Sequence, residues 1–248
     1  MKIKLSEVST RAPKDTDKEE GKAKLTEVIE ELDELQNLLF AEGKNAVLVV
    51  IQGMDASGKD GAIRNVFGAL NPQGVSVTSF KVPTAEETAH DFLWRIHEHT
   101  PAKGMIKVFN RSHYENVLVT RVHKDIDDEV AHKRMEAMND FEKLLAKHNN
   151  TLILKFFLHV SRKEQTERLN ERLTDVRKHW KANPNDFKEA EHWDEYMQYY
   201  EEIFEKCDYT PWTIVPADQN WYKELLIAKT LRDELKKLKM EYPGVDKG

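Results

Sequence analysis

The run Gln52-Gly53-Met54-Asp55-Ala56-Ser57-Gly58-Lys59-Asp60-Gly61 sets a lysine directly after the second of two spaced glycines. This GxxxxGK spacing suits phosphate: successive backbone N–H groups turn into one concavity, and the lysine reaches the terminal phosphates. Gly53 and Gly58 permit the tight turn and let phosphate oxygens approach the backbone. Ala56, Ser57, Gly58 and Asp60 line the same loop, and Arg64, one turn on, completes the phosphate-binding set. An ordinary glycine-rich turn would leave Lys59 unexplained. One departure matters, because Asp60 stands where such loops usually offer Mg²⁺ a Ser or Thr hydroxyl. Asp55 is then the candidate metal ligand, since an acid inside a phosphate loop repels its ligand unless a cation lies between them. Asp60 would instead orient Lys59 or complement the dipole at the helix start.

A second cluster, Asn110-Arg111-Ser112-His113-Tyr114-Glu115, follows an apolar run. Between Lys103 and Lys124 stand five basic residues and one acid, Glu115. Arg111 is the best planar clamp for a phosphate. His113, alone among aromatic neighbours, reads as either structural or catalytic. A third cluster runs from Arg162 to Lys181 with seven basic residues against four acids, inside a chain whose net charge is −6. A solvated helix laced with pairs such as Glu164–Arg168 is the competing reading of that stretch.

These groups need elements to hold them. Apolar residues at Leu25, Val28, Ile29, Leu32, Leu35, Leu38 and Leu39 predict a helix over Leu25–Phe40, ended by Gly43. Ala46–Ile51, Val75–Phe80, Met105–Phe109, Leu152–Leu158 and Trp212–Val215 read as strands. Helices are expected over Gly61–Leu70, Glu86–His99, Asp128–Lys147 and Tyr222–Lys239. Ser161–Lys206 is helical and broken near Ala182-Asn183-Pro184. Alternating strands and helices imply right-handed crossovers and a mostly parallel sheet covered on both faces. Residues at the carboxyl ends of its strands then face the ligand crevice.

Composition bounds the answer. The chain has 248 residues, 40% hydrophobic and 33% charged, which suits one α/β domain with a substantial core. No apolar run approaches the roughly 20 residues of a membrane span. A single cysteine, Cys207, excludes an internal disulfide framework and fits a reducing compartment. The first 22 residues read as an arm without a signal-peptide core, so a cytoplasmic protein without membrane partner is expected. The acidic total argues against coating nucleic acid. The stripes of Leu25–Phe40 and Tyr222–Lys239 could serve a homo-oligomer interface or be buried within one chain.

The blocks VIQGMDASGKDGAI, LNPQGVSVTSFKVPT, FNRSHYENVLVTRVH, KFFLHVSRKEQTERL, EHWDEY and PWTIVPAD together resemble polyphosphate kinase family 2, most closely its class III branch. The resemblance spans roughly residues 25–240. It implies an α/β P-loop fold of three layers (α/β/α) with a five-stranded, mostly parallel, thymidylate-kinase-like sheet, and a helical lid over roughly 161–200. It implies transfer of a terminal phosphoryl group between inorganic polyphosphate and AMP or ADP, yielding ADP and ATP, with guanine nucleotides as further candidates. Mg²⁺, with Mn²⁺ as its substitute, is the implied cofactor. Carried over, Asp55, Lys59 and Arg111 are the catalytic set, with Asp55 as metal ligand. Asn110, His113, Tyr114, Glu115 and Arg121 form the nucleotide side, and Arg168, Arg172, Arg177 and Lys178 the lid that binds polyphosphate. Many relatives carry Asp where this chain has Asn110. Glu115 after Tyr114 matches class III members, which accept nucleoside monophosphates.

Two other readings compete: an ATP-dependent nucleotide kinase of similar fold, and a P-loop switch. The switch lacks support, for no NKxD motif for guanine follows the loop.

Overall fold

The computed structural model describes residues 3–244. Positions 1, 2 and 245–248, at the two ends of the expected domain, lie outside the described residues. In chain order the elements are α1 (Lys18–Glu42), β1 (Ala46–Gln52), α2 (Lys59–Phe67), β2 (Val75–Ser79), α3 (Ala85–Ala89), α4 (Trp94–His97) and β3 (Ile106–Asn110). There follow α5 (Glu115–Val122), α6 (Asp128–His148), β4 (Thr151–His159), α7 (Arg162–Thr174), α8 (Pro184–Glu191), α9 (Trp193–Lys206), β5 (Trp212–Pro216) and α10 (Asn220–Lys237). Short 3-10 turns cover Leu5–Glu7 and Val176–Lys181.

The five strands form one sheet ordered β2-β3-β1-β4-β5, with every neighbouring pair parallel. That is the expected α/β architecture. β1 is central and buried along all seven residues, as a strand covered on both faces must be. Register then dictates the site: Ile51 pairs with Asn110, and Gln52 with Phe157. Gly53 and Arg111 therefore leave the sheet side by side at its carboxyl edge.

α1 starts earlier than expected because Asp17 caps it, accepting the N–H groups of Glu19 and Glu20 at 2.8 and 2.9 Å. The N-terminal arm is correspondingly shorter, and it is docked rather than loose. Thr10 Oγ1 donates to Asp218 at 2.8 Å, the Ala12 N–H to Gln219 at 2.9 Å, and Leu5 is buried. α1 packs on α10, which buries Val28, Leu32 and Leu39 of one apolar stripe and Leu225, Leu231 and Leu235 of the other within the chain, while Phe40 stays exposed.

The single helix expected over Glu86–His99 is two short ones. Thr84 opens α3 with a capping box, and Asp91 Oδ1 then accepts the Leu93 N–H at 2.9 Å, a local bond that competes with the helical ladder. The expected break at Asn183-Pro184 is present, with Asn183 capping α8. Two further breaks fall at Asp175 and His192.

Candidate active site

Between β1 and α2 the chain turns through Gly53 (φ 150°), Ala56 (φ 60°) and Gly58 (φ 94°). A side chain on Gly53 would sit 2.9 Å from the Leu158 carbonyl oxygen, and one on Gly58 2.3 Å from Lys223 Nζ. Gly53 is therefore dictated by close approach to backbone as well as by dihedral angle, whereas at Gly58, whose neighbour is the movable end of a lysine, the positive φ is the constraint. Lys59 folds back under the loop and donates to the carbonyls of Gly53 at 2.6 Å and Met54 at 3.0 Å. Burial, with Arg111 beside it, pulls its ammonium down to a pKa of about 8. The Ser57 side chain is buried without a partner among the described residues.

Arg111 follows the last residue of β3 in the left-handed region (φ 63°), a costly conformation for arginine. Its guanidinium donates to Glu115 Oε2 at 3.0 Å and pairs with Asp55. Glu115, then Asp55, hold that guanidinium charged against the cost of burial. Gln52 Nε2 donates to Glu115 Oε1 at 2.7 Å, so the end of β1 grips the start of α5. A cleft of about 640 Å³ opens here, lined by Gly53, Asp55, Arg111, Glu115, Tyr196 and Tyr200 among others.

Asp60 accepts from Asn110 Nδ2 at 3.0 Å and from Lys181 Nζ at 2.9 Å. Burial alone would raise its carboxyl pKa, but Lys181 and Asn110 outweigh that and hold it below the ordinary value. Asp60 thus ties the phosphate loop to β3 and to the expected lid, rather than orienting Lys59.

Several expected binding residues face elsewhere. Arg64 is exposed on α2, outside the cleft lining. His113 and Tyr114 are wholly buried behind the cleft, because the turn after β3 points them into the core. Arg121 is engaged with Asp128 at 2.6 Å and Glu202 at 2.7 Å and lies over the Tyr199 ring, joining α5 to α6 and α9. Of the expected nucleotide-side residues, Glu115 lines the cleft, and Asn110 sits beside the loop.

The lid residues divide likewise. Arg168 reaches behind the phosphate loop, donating to the carbonyls of Ala56 and Ser57 at 3.1 Å and of Ala217 at 2.8 Å. Arg172 pairs with Asp186. Arg177 and Lys178 are paired with Asp175 and Glu171 on the surface, where α7 gives way to the 3-10 turn.

The profile of the family described as Polyphosphate kinase 2 (PPK2) matches residues 15–243. The chain belongs to the polyphosphate kinase 2 family. It is 48% identical over 214 residues to the AMP/ADP-polyphosphate phosphotransferase of Meiothermus ruber, covering 86% of this chain and 80% of that one. It is 42% identical to the ADP-polyphosphate phosphotransferase of Rhodopseudomonas palustris, covering 87% and 79%. The crystal structure of Polyphosphate Kinase 2 from Arthrobacter aurescens TC1 superposes with a TM-score of 0.95 at 42% identity, covering 99% of this chain and 89% of that one.

In this polyphosphate kinase 2 chain the sequence alone hid one cation of the loop, Lys223. It is buried on α10 and donates to the Gly58 carbonyl at 3.1 Å and Asn220 Oδ1 at 2.8 Å. Nothing in its helical spacing distinguishes it from a surface lysine. Tyr200 and Asp186 were equally silent, since neither belongs to a phosphate motif. Burial, with Arg168 beside it, lowers Lys223 to about 8 as well.

Two buried cations without an anion cost stability below pH 8, and the cost is relieved as pH rises towards the unfolded lysine pKa near 10.5. A bound polyanion reverses the sign, because it favours the protonated forms. Tripolyphosphate is therefore expected to raise the melting temperature clearly at pH 7 and much less at pH 9.5. Equal gains at both pH values, read by scanning calorimetry, would contradict the role of these lysines.

Proposed function

We propose that the protein transfers the terminal phosphoryl group of inorganic polyphosphate reversibly to AMP and ADP, with Mg²⁺ as cofactor. The observation that carries this is the meeting of Gly53, Met54 and Asp55 of the phosphate loop with Arg111 at one cleft, with Lys59 buried beneath that loop beside Arg111, in a chain with the family membership given above. The acceptor oxygen of a nucleotide phosphate is already ionised near pH 7, so a general base is unnecessary. The work is to cancel repulsion between two polyanions and hold oxygen, phosphorus and oxygen in line. Loop N–H groups and Lys59 hold the donor end. Arg168 and Lys223, bonded to the outward carbonyls of the loop, aim those N–H groups inward and add positive potential. Arg111 neutralises the transferring group. The residues following α7 shield it from water, which would otherwise accept the phosphoryl group.

The donor set fits Mg²⁺. No group of three or more His, Cys, Asp or Glu forms a complete metal cage among the described residues. Mg²⁺ needs none, because one or two carboxylates plus substrate phosphates suffice. Asp55 at the cleft floor, with Asp186 near enough to feel its charge, offers such hard oxygen ligands. The ion would supply charge neutralisation across the phosphates.

Glu115, the residue shared with class III members, supports AMP as an acceptor beside ADP. Chromatography of products from AMP, polyphosphate and Mg²⁺ is expected to show ADP and then ATP, and EDTA is expected to stop both. Phosphorylation of AMP only when ATP is supplied would refute the polyphosphate donor.

A further inference from the structure

Behind the cleft lies a polar cluster in a position where an α/β core is ordinarily apolar. Lys155 Nζ, on β4, donates to Tyr114 Oη at 2.9 Å, to Glu142 Oε2 at 2.8 Å and to the Cys207 carbonyl at 2.9 Å. Tyr114 Oη in turn donates to Glu142 Oε1 at 2.6 Å. The three side chains are wholly buried. An ion pair so placed adds little net stability, because removing both charges from water offsets most of their attraction. Its distinctive contribution is one fixed geometry. An aromatic ring among apolar neighbours can slide, whereas a hydroxyl held by two partners on two different elements cannot.

The chain around Tyr114 shows what that geometry fixes. Tyr114 immediately precedes α5, whose first residue is Glu115, and the strained Arg111 lies three residues before it. The turn from Arg111 to Glu115 leaves β3 on a ladder bond, the Arg111 N–H donating to the Ile51 carbonyl at 3.1 Å, and side-chain contacts then hold the residues after it, three of them at Ser112, Glu115 and Tyr114. Ser112 Oγ accepts the Tyr114 N–H at 3.2 Å, and Gln52 holds Glu115. The Tyr114 hydroxyl supplies the third, across to β4 and α6. Without that pin the turn loses its tie to β4 and α6, and the Arg111 guanidinium is left to the ladder bond of its own N–H and to Asp55 and Glu115 for its placement.

We propose that Tyr114, Glu142 and Lys155 form a positioning cluster that fixes the Arg111–Glu115 turn so that Arg111 meets the transferring phosphate, an inference that rests on the role given to Arg111 above. None of the three lines the cleft, so each acts through the turn.

The test is a double-mutant cycle of Tyr114→Phe with Arg111→Ala. It is followed by steady-state kinetics with AMP and polyphosphate, at a temperature where circular dichroism shows every variant folded. Tyr114→Phe keeps the Glu142–Lys155 pair intact and is expected to lower kcat on the order of 10- to 100-fold. The KM for polyphosphate should stay within about twofold, because the phosphate loop is held separately. In the Arg111→Ala background the same change should cost almost nothing, since the group it positions is gone. Losses that multiply, or an unimpaired Tyr114→Phe beside a slow Arg111→Ala, overturn the cluster's role. A nearly wild-type Arg111→Ala instead overturns the role of Arg111, and this inference with it. Should Tyr114→Phe not fold, the Lys155→Met/Glu142→Leu pair takes its place in the cycle, since it strips the Tyr114 hydroxyl of both partners, with a loss of the same kind and the same dependence on Arg111.

Discussion

Lys59→Met is expected to lower turnover roughly 10²- to 10³-fold with no loss of folded stability. The activity side follows from charge. Lys59 Nζ donates to the carbonyls of Gly53 and Met54, a geometry that holds it against the loop on which the terminal phosphates of a donor would lie. Methionine fills the same volume without the cation, and the loop N–H groups alone must then face the polyanion. The stability side has the opposite sign. A lysine whose ammonium is pushed down to about 8 by burial disfavours the fold at pH 7, so its removal should leave the melting temperature equal or higher. Initial rates and thermal melts on the same preparation separate the two effects. Near-wild-type turnover in this variant would remove Lys59 from the mechanism.

The largest expected effect on stability lies behind the site. Lys155→Met takes the one permanent cation from the wholly buried Glu142 carboxylate, leaving it the Tyr114 hydroxyl and His113, and should cost about 3–5 kcal/mol. For a domain of this size that is a fall of roughly 6–20 °C in melting temperature. In the native protein His113 and Lys155 hold the Glu142 carboxyl below its ordinary pKa although burial pushes the other way, so the charge is present at neutral pH and depends on its partners. Adding Glu142→Leu to Lys155→Met removes the stranded charge and should recover most of the loss, leaving the Tyr114 hydroxyl without its partners. Differential scanning calorimetry of both variants checks this. A drop below about 1 kcal/mol for Lys155→Met would mean that water or a neighbour compensates Glu142.

The fold was legible because its signals are local. β1 announced itself as an unbroken apolar run, and the loop after it by two glycines and a lysine. Asp55 and Arg111 stood out as candidates because each closely follows the end of a parallel strand, where the architecture selects what faces a ligand, and Lys59 because it opens α2 directly after the second glycine of the loop. His113, Tyr114 and Arg121 share that neighbourhood in sequence. The turn that begins with the positive φ of Arg111 sends His113 and Tyr114 inward, and Arg121 is claimed by Asp128 and Glu202. Neither fact is written in residue type. Lys223 shows the converse. Its function arises only when α10, distant in sequence, packs beside α2, and no periodicity records that contact. The break between α3 and α4 was missed for a smaller reason, one Asp91 side chain competing for a backbone N–H.

The grip of Arg168 on Ala56, Ser57 and Ala217 makes α7 a fixed post on which the donor end of the site stands. Its last residue, Thr174, is followed by Asp175, where the backbone turns extended before the 3-10 turn and α8. Residues 175–191 therefore form a module joined to the rest mainly by side-chain tethers, such as Lys181 to Asp60 and Arg172 to Asp186. A hinge that acts at Asp175 could therefore swing that module without disturbing α7 or the loop carbonyls that Arg168 holds.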